Sequence, residues 1–131
     1  MLKFLIVAAG GAIGSVARYC ISGLDYRFSH GVFPFGTLVV NLSGSFLIGL
    51  FWGAFERFTV PPTIRIFLFV GILGGYTTFS TLALETLNLL RDNEYRIAFL
   101  SLILSNLLGL VLVFTGFMLS RYLMEVINFR R

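Results

Sequence analysis

Gly71-Ile72-Leu73-Gly74-Gly75-Tyr76-Thr77-Thr78-Phe79-Ser80-Thr81 lies in the middle of a segment otherwise apolar enough to cross a bilayer. Lipid offers no water to backbone N–H and C=O groups. A segment there is helical, or it buries irregular backbone in protein or against a water-filled cavity. Paired glycines followed by two β-branched threonines disfavour a continuous helix. The stretch therefore reads as a break in a membrane helix, with amides and carbonyls released to bind something. Broken helices near mid-membrane form ion and substrate sites.

The rest of the chain supports that setting. Of its 131 residues, 57% are hydrophobic and 12% charged, with mean hydropathy +0.92, whereas soluble domains carry about 25% charged residues. The expected class is an all-α membrane protein forming a single integral membrane domain over 1–131. A span needs about 20 apolar residues, which leaves room for four, at roughly 4–22, 37–55, 64–90 and 97–119. The net charge of +4 and pI near 9.7 would suggest nucleic acid in a soluble protein. Here the basic residues read as membrane-flanking positions. One Cys and one His exclude disulfide frameworks and Cys/His metal sites; Cys20 reads as a packing residue near a helix end and His30 as a loop residue.

At the N-terminal end, Lys3 followed by an apolar run also fits a signal peptide. However, the hydrophobic character continues past Arg18 to Leu24, and Gly10-xxx-Gly14 has the spacing of closely packed membrane helices. A polar and aromatic loop, about 25–36, ends in Phe33-Pro34-Phe35-Gly36, a helix-entry signal. Pro61-Pro62 marks the turn into the third span, and Arg91-Asp92-Asn93-Glu94 the turn out of it. Four spans place both termini on one side. Lys3, Arg57, Arg65, Arg121, Arg130 and Arg131 fall on that side and Arg18, Arg27, Arg91 and Arg96 on the other, six against four. Orientation follows a clear Lys/Arg asymmetry. A split this even suits insertion both ways with antiparallel pairing, beside the alternative of one orientation fixed by the C-terminal arginines.

Polar residues inside the spans are the site candidates. Thr37, Asn41, Ser45, Gly49 and Gly53 recur at i+4 and share one helical stripe. For Ser45, Gly49 and Gly53 a helix–helix seam is the better reading. Asn41 needs a partner helix or a polar ligand, because an embedded amide is costly alone. Ser101, Ser105 and Gly109 repeat the seam pattern in the fourth span, with Asn106 as the second embedded amide. Asparagine both donates and accepts, so two such residues facing the break suit a narrow hydrogen-bonding path without fixed charge. Carbonyls released near Gly74 and Thr77 suit a hard cation. The helix restarting near Thr78 presents amides and a positive dipole end, which suits an anion, with Thr77 or Thr78 as its cap. Phe79 either packs against lipid or protein, or offers its positive ring edge to an anion. Arg18 either snorkels to the interface or draws anions to a vestibule. Glu85 reads as a structural capping or pairing residue, with Arg18 a candidate partner. No Ser/His/Asp set, Cys/His pair or phosphate-cradling loop is present, so the chain is not read as an enzyme.

Four strings carry a resemblance: GGAIGSVARY (Gly10 to Tyr19), FGTLVVNLSGSFLIG (Phe35 to Gly49), GILGGYTTFSTLALE (Gly71 to Glu85) and NLLG (Asn106 to Gly109). With them the chain resembles the CrcB/Fluc family of fluoride channels over nearly its whole length. The resemblance implies an antiparallel, dual-topology homodimer in the bacterial inner membrane, with ion transport by passive fluoride efflux that limits fluoride toxicity. It implies an anion path involving Asn41, Phe79, Thr37, Asn106 and Ser80, with Arg18 as the vestibule's basic residue. A metal-binding site would hold a structural sodium ion on the backbone carbonyls of Gly74 and Thr77 from both subunits. Two positions depart from the family pattern. Leu82 stands where a second phenylalanine is usual, and the fourth span has no aromatic hydroxyl between Ser101 and Phe117. These departures bring in a heterodimer with a paralogous subunit, or a non-conducting subunit. A small dual-topology drug/proton antiporter matches in size and span count but needs a carboxylate in its first span, and this one has none.

Overall fold

A computed structural model describes residues 1–23 and 32–129. Most of the loop expected at 25–36, with Arg27 and His30, lies outside the described residues, as do Arg130 and Arg131. The described residues are helical, with no strand among them. Four stretches are long and apolar enough to cross a membrane: Leu2–Ser22, Phe35–Arg57, Pro62–Arg91 and Tyr95–Ile127. They are the first to fourth spans below.

Proline sets two of the starts. Pro34 precedes the first helical residue of the second span, and Pro61 and Pro62 open the third. A proline there forfeits no hydrogen bond, because the first N–H groups of a helix have no internal partner. The third span ends at Arg91. Asn93, at φ 64°, is the one non-glycine residue with positive φ among the described residues, and asparagine tolerates that left-handed conformation. The Glu94 amide then reaches back to the Leu89 carbonyl at 2.8 Å, closing the turn into the fourth span.

The spans pack in two main pairs, first on third and second on fourth. Glycines decide how closely. A Cβ at Gly10 would stand 2.7 Å from the Phe67 carbonyl, and one at Gly14 would run into the Ile72 carbonyl. In the second pair, a Cβ at Gly49 would strike the Val113 carbonyl, and one at Gly116 the Phe46 carbonyl. Backbone-to-backbone approach of this kind supplies the dispersion contacts that hold helices together where lipid removes the hydrophobic driving force. The seam reading of Gly10-xxx-Gly14, Gly49 and Gly53 describes these contacts. Cys20, expected to pack, is instead exposed on the first span.

Two stretches are wound as π-helix, Ile66–Leu73 in the third span and Leu104–Leu108 in the fourth. Such wide turns are rare and alter which side chains share a face. In the third span a last helical turn, Gly74–Tyr76, is followed by Thr77 at φ −76°, ψ 153° and Thr78 at φ −148°, ψ 119°, both extended. Helix resumes over Phe79–Arg91.

Candidate functional site

The extended pair Thr77–Thr78 is held by the second span. Asn41 Nδ2 donates to the Thr78 carbonyl at 3.0 Å, and the Thr78 amide donates to Asn41 Oδ1 at 2.9 Å. The side-chain amide thus takes both backbone groups of one residue, much as a neighbouring strand would. Two residues away on each span, the Ser43 hydroxyl and the Tyr76 phenol lie 2.7 Å apart, and Tyr76 is buried. Gly44 makes room for this junction, since a Cβ there would enter the Thr77 methyl.

Thr78 also caps the helix that follows. Its hydroxyl accepts from the Thr81 amide at 3.2 Å and donates to the Thr81 hydroxyl at 3.0 Å. These bonds redirect two amides. In a continuous helix the Thr78 N–H would serve the Gly74 carbonyl and the Thr81 N–H the Thr77 carbonyl. Here the first goes to Asn41 and the second to the Thr78 side chain. The carbonyls of Gly74 and Thr77 are left without their i+4 donors. Gly74 is exposed, and a Cβ there would meet nothing nearer than 3.5 Å.

Beside the extended pair is a cleft of about 320 Å³. Its polar lining is Asn41, Ser45, Thr77, Thr78, Ser105 and Asn106. Glycines 44 and 74 shape it, and its apolar lining is Ile48, Phe69, Leu73, Phe79 and Leu82. No charged side chain is among these residues. The π turn at Leu104–Leu108 presents Ser105 and Asn106, neighbours in sequence, to the same cleft. The Ser105 hydroxyl is buried without a hydrogen-bond partner among the described residues. Asn106 is exposed and donates to the Leu102 carbonyl of its own helix at 2.8 Å.

The cleft thus brings together Asn41, Phe79, Asn106, Gly74 and Thr77 of the candidate residues. Three others are not among its lining. Thr37 is 1% exposed and donates to Glu85 Oε1 at 2.7 Å. Ser80 is exposed and shares a 3.2 Å hydrogen bond with the Thr78 hydroxyl. Arg18 is half-buried on the first span. Ser45 and Ser105, read as seam residues, lie where the second and fourth spans meet, with a Cβ at Gly109 only 3.3 Å from Ser45 Oγ and Ser105 buried, and they line the cleft as well. Phe69 lines the cleft too, and nothing in sequence distinguishes it from the chain's other phenylalanines.

Chemically, the site offers hydroxyl and amide donors, two aromatic rings and backbone carbonyls without their helical donors in an uncharged cleft inside the membrane span. Such an arrangement can replace part of an ion's hydration shell without trapping it on a fixed charge.

Sequence comparison places the chain among known proteins. The family model described as "CrcB-like protein, Camphor Resistance (CrcB)" matches residues 5–117. A protein of Parabacteroides distasonis named "Fluoride-specific ion channel FluC" is 44% identical over 98% of this chain and all of its own length. A protein of the same name from Desulfotalea psychrophila is 46% identical over 92% of this chain and 93% of its own. One from Desulforapulum autotrophicum is 42% identical over 91% and 96%. With a family match across most of its length and relatives this similar end to end, the chain is a multi-pass membrane protein that belongs to the CrcB-like family.

Proposed function

We propose that the protein is a fluoride-selective ion channel of the bacterial inner membrane that lets fluoride leave the cytoplasm passively and so limits its toxicity. The observation that carries this reading is the uncharged cleft beside Thr77–Thr78, in a chain whose full-length relatives are named fluoride-specific channels. Asn41, Ser45, Ser105 and Asn106 supply hydrogen-bonding groups to a dehydrating anion, and Phe79 offers a polarised ring. The cleft carries no cation that would hold the anion fast. Conduction requires binding strong enough to enter and weak enough to leave. Ser80 and Arg18 belong to the wider approach to the path rather than to the cleft, and Thr37, buried and bonded to Glu85, stands behind it.

The working unit in this proposal is an antiparallel, dual-topology homodimer, or a pair with a paralogous subunit. The near-even Lys/Arg split supports insertion both ways. The broken third span is its centre. The Gly74 and Thr77 carbonyls, deprived of helical donors, fit a hard monovalent cation such as structural sodium, which takes oxygen ligands. Bound there, sodium would tie two breaks together, while Asn41 and the Thr78 cap keep the amides turned away from those carbonyls. A proton-coupled antiporter has no embedded carboxylate in the first span to work with.

The test is efflux from liposomes containing only this purified protein, read with a fluoride electrode and a chloride control. Fast, fluoride-selective, proton-independent efflux is the expected result. No efflux from well-folded dimers would replace the homomeric channel with a partner-dependent or non-conducting subunit.

A further inference from the structure

We propose that Phe69 is a second aromatic wall of the anion path and that Arg65 is the residue that positions it. Two phenylalanines line the cleft, Phe69 and Phe79. Phe79 is 72% exposed. Phe69 is fixed from two sides. Its ring centroid lies 5.5 Å from that of Trp52, at an interplanar angle of 63°, and 5.6 Å from that of Phe55, at 80°. Edge-to-face contacts of this kind orient a ring as well as bury it.

Phe55 is itself anchored. Arg65 Nη2 donates to the Phe55 carbonyl at 2.5 Å, and the guanidinium carbon sits 5.6 Å from the centre of the Phe55 ring. Arg65 is half-buried and has no carboxylate partner among the described residues. Its charge is met by the carbonyl end of the second span, where the helix dipole is negative, and by the ring face. A continuous line of contact therefore runs from Arg65 through Phe55 to Phe69 and the cleft. A ring held in this way presents a pre-set quadrupole, whose positive edge favours a small anion over a cation. Sequence reading gives Arg65 only a part in membrane orientation; this geometry gives it one in the shape of the path.

The inference rests on the anion-path reading, and the two fail separately. Efflux by the wild-type protein tests the reading, and the ratio of variant to wild type tests the ring. In liposomes, Phe69→Leu is expected to lower fluoride efflux about tenfold, the scale of one aromatic electrostatic contact. Phe4→Leu, on the exposed face of the first span, should leave it unchanged. Arg65→Gln should lower efflux similarly, Arg65→Lys should restore part of it, and Arg65→Gln with Phe69→Leu should be no worse than Phe69→Leu alone. Trp52, the chain's single tryptophan, gives a readout that needs no anion, and its emission should shift in Arg65→Gln. Wild-type efflux in Phe69→Leu, additive losses in the double variant, or unchanged Trp52 emission in Arg65→Gln would each overturn the proposal.

Discussion

Asn41 holds Thr78 by both of its backbone groups, donating to the carbonyl at 3.0 Å and accepting from the amide at 2.9 Å. The residue that lines the cleft is therefore also the splint that keeps the third span extended at Thr77–Thr78. One of its two amide hydrogens is used in the splint, and the other remains for a ligand. Asn41→Asp separates donor from acceptor. Aspartate still accepts from the Thr78 amide, but it sets a carboxylate oxygen against the Thr78 carbonyl and puts a negative charge in the proposed path. Repulsion of an anion by that charge in a low-dielectric path should abolish fluoride efflux, measured with the fluoride electrode. Loss of the paired bond should cost about 1–3 kcal/mol, read as earlier thermal unfolding. Undiminished efflux in this variant would remove Asn41 from the anion path.

A second polar contact joins the same two spans. Thr37 is buried and gives its hydroxyl to Glu85 at 2.7 Å. Thr37→Val keeps the shape and deletes the donor, leaving a carboxylate oxygen short of one hydrogen bond inside the protein. The expected cost is about 1–3 kcal/mol, measured by unfolding in detergent, and Thr37→Ser should recover most of it. Equal stability of the valine and serine variants would show that the bond contributes nothing.

The sequence made some of this legible for physical reasons. Composition and span length suffice for four helices, because lipid permits few other structures to a chain this apolar. Prolines 34, 61 and 62 and the polar turn at Arg91–Glu94 mark helix ends through their local chemistry. Gly74, Gly75, Thr77 and Thr78 point to the neighbourhood where the backbone turns extended. Other features depend on which helices meet and how they are wound. The π turn that presents both Ser105 and Asn106 to the cleft has no composition signal, and an i+4 reading sends them to different faces. The Thr37–Glu85 bond joins residues 48 positions apart. Phe69 is one of fifteen phenylalanines and becomes notable only through Trp52, Phe55 and the cleft.

Glycine spacing makes a prediction with an internal control. A Cβ at Gly49 would collide with the Val113 carbonyl, whereas one at Gly11 would meet nothing within 4 Å. Gly49→Ala must push the second and fourth spans apart, and overpacking of this kind costs about 1–3 kcal/mol. Gly11→Ala, on an open helical position, should change stability by less than about 1 kcal/mol. Thermal unfolding of the two variants in the same detergent checks the contrast. A tolerated Gly49→Ala would mean that the seam is looser than this contact implies.

The carbonyls of Gly74 and Thr77 carry the last prediction. Their helical donors are turned away, one to Asn41 Oδ1 and one to the Thr78 hydroxyl. If sodium occupies them, it stabilises the folded pair by mass action, by about 2.7 kcal/mol at a hundred times its dissociation constant. Replacing sodium with N-methylglucamine throughout purification and assay should then lower the unfolding temperature and slow fluoride efflux together. Restoring sodium should reverse both changes, while caesium, too large for a site shaped to sodium, should not. Thr78→Ala deletes the side chain that captures the Thr81 amide and so loosens the junction, leaving Asn41 alone to hold residue 78 extended. It should cost about 1 kcal/mol as a lost helix cap and weaken the dependence on sodium in the same titration. Stability and flux indifferent to sodium in the wild-type protein would leave these carbonyls without a cation, and the junction would then rest on Asn41 and Thr78 alone.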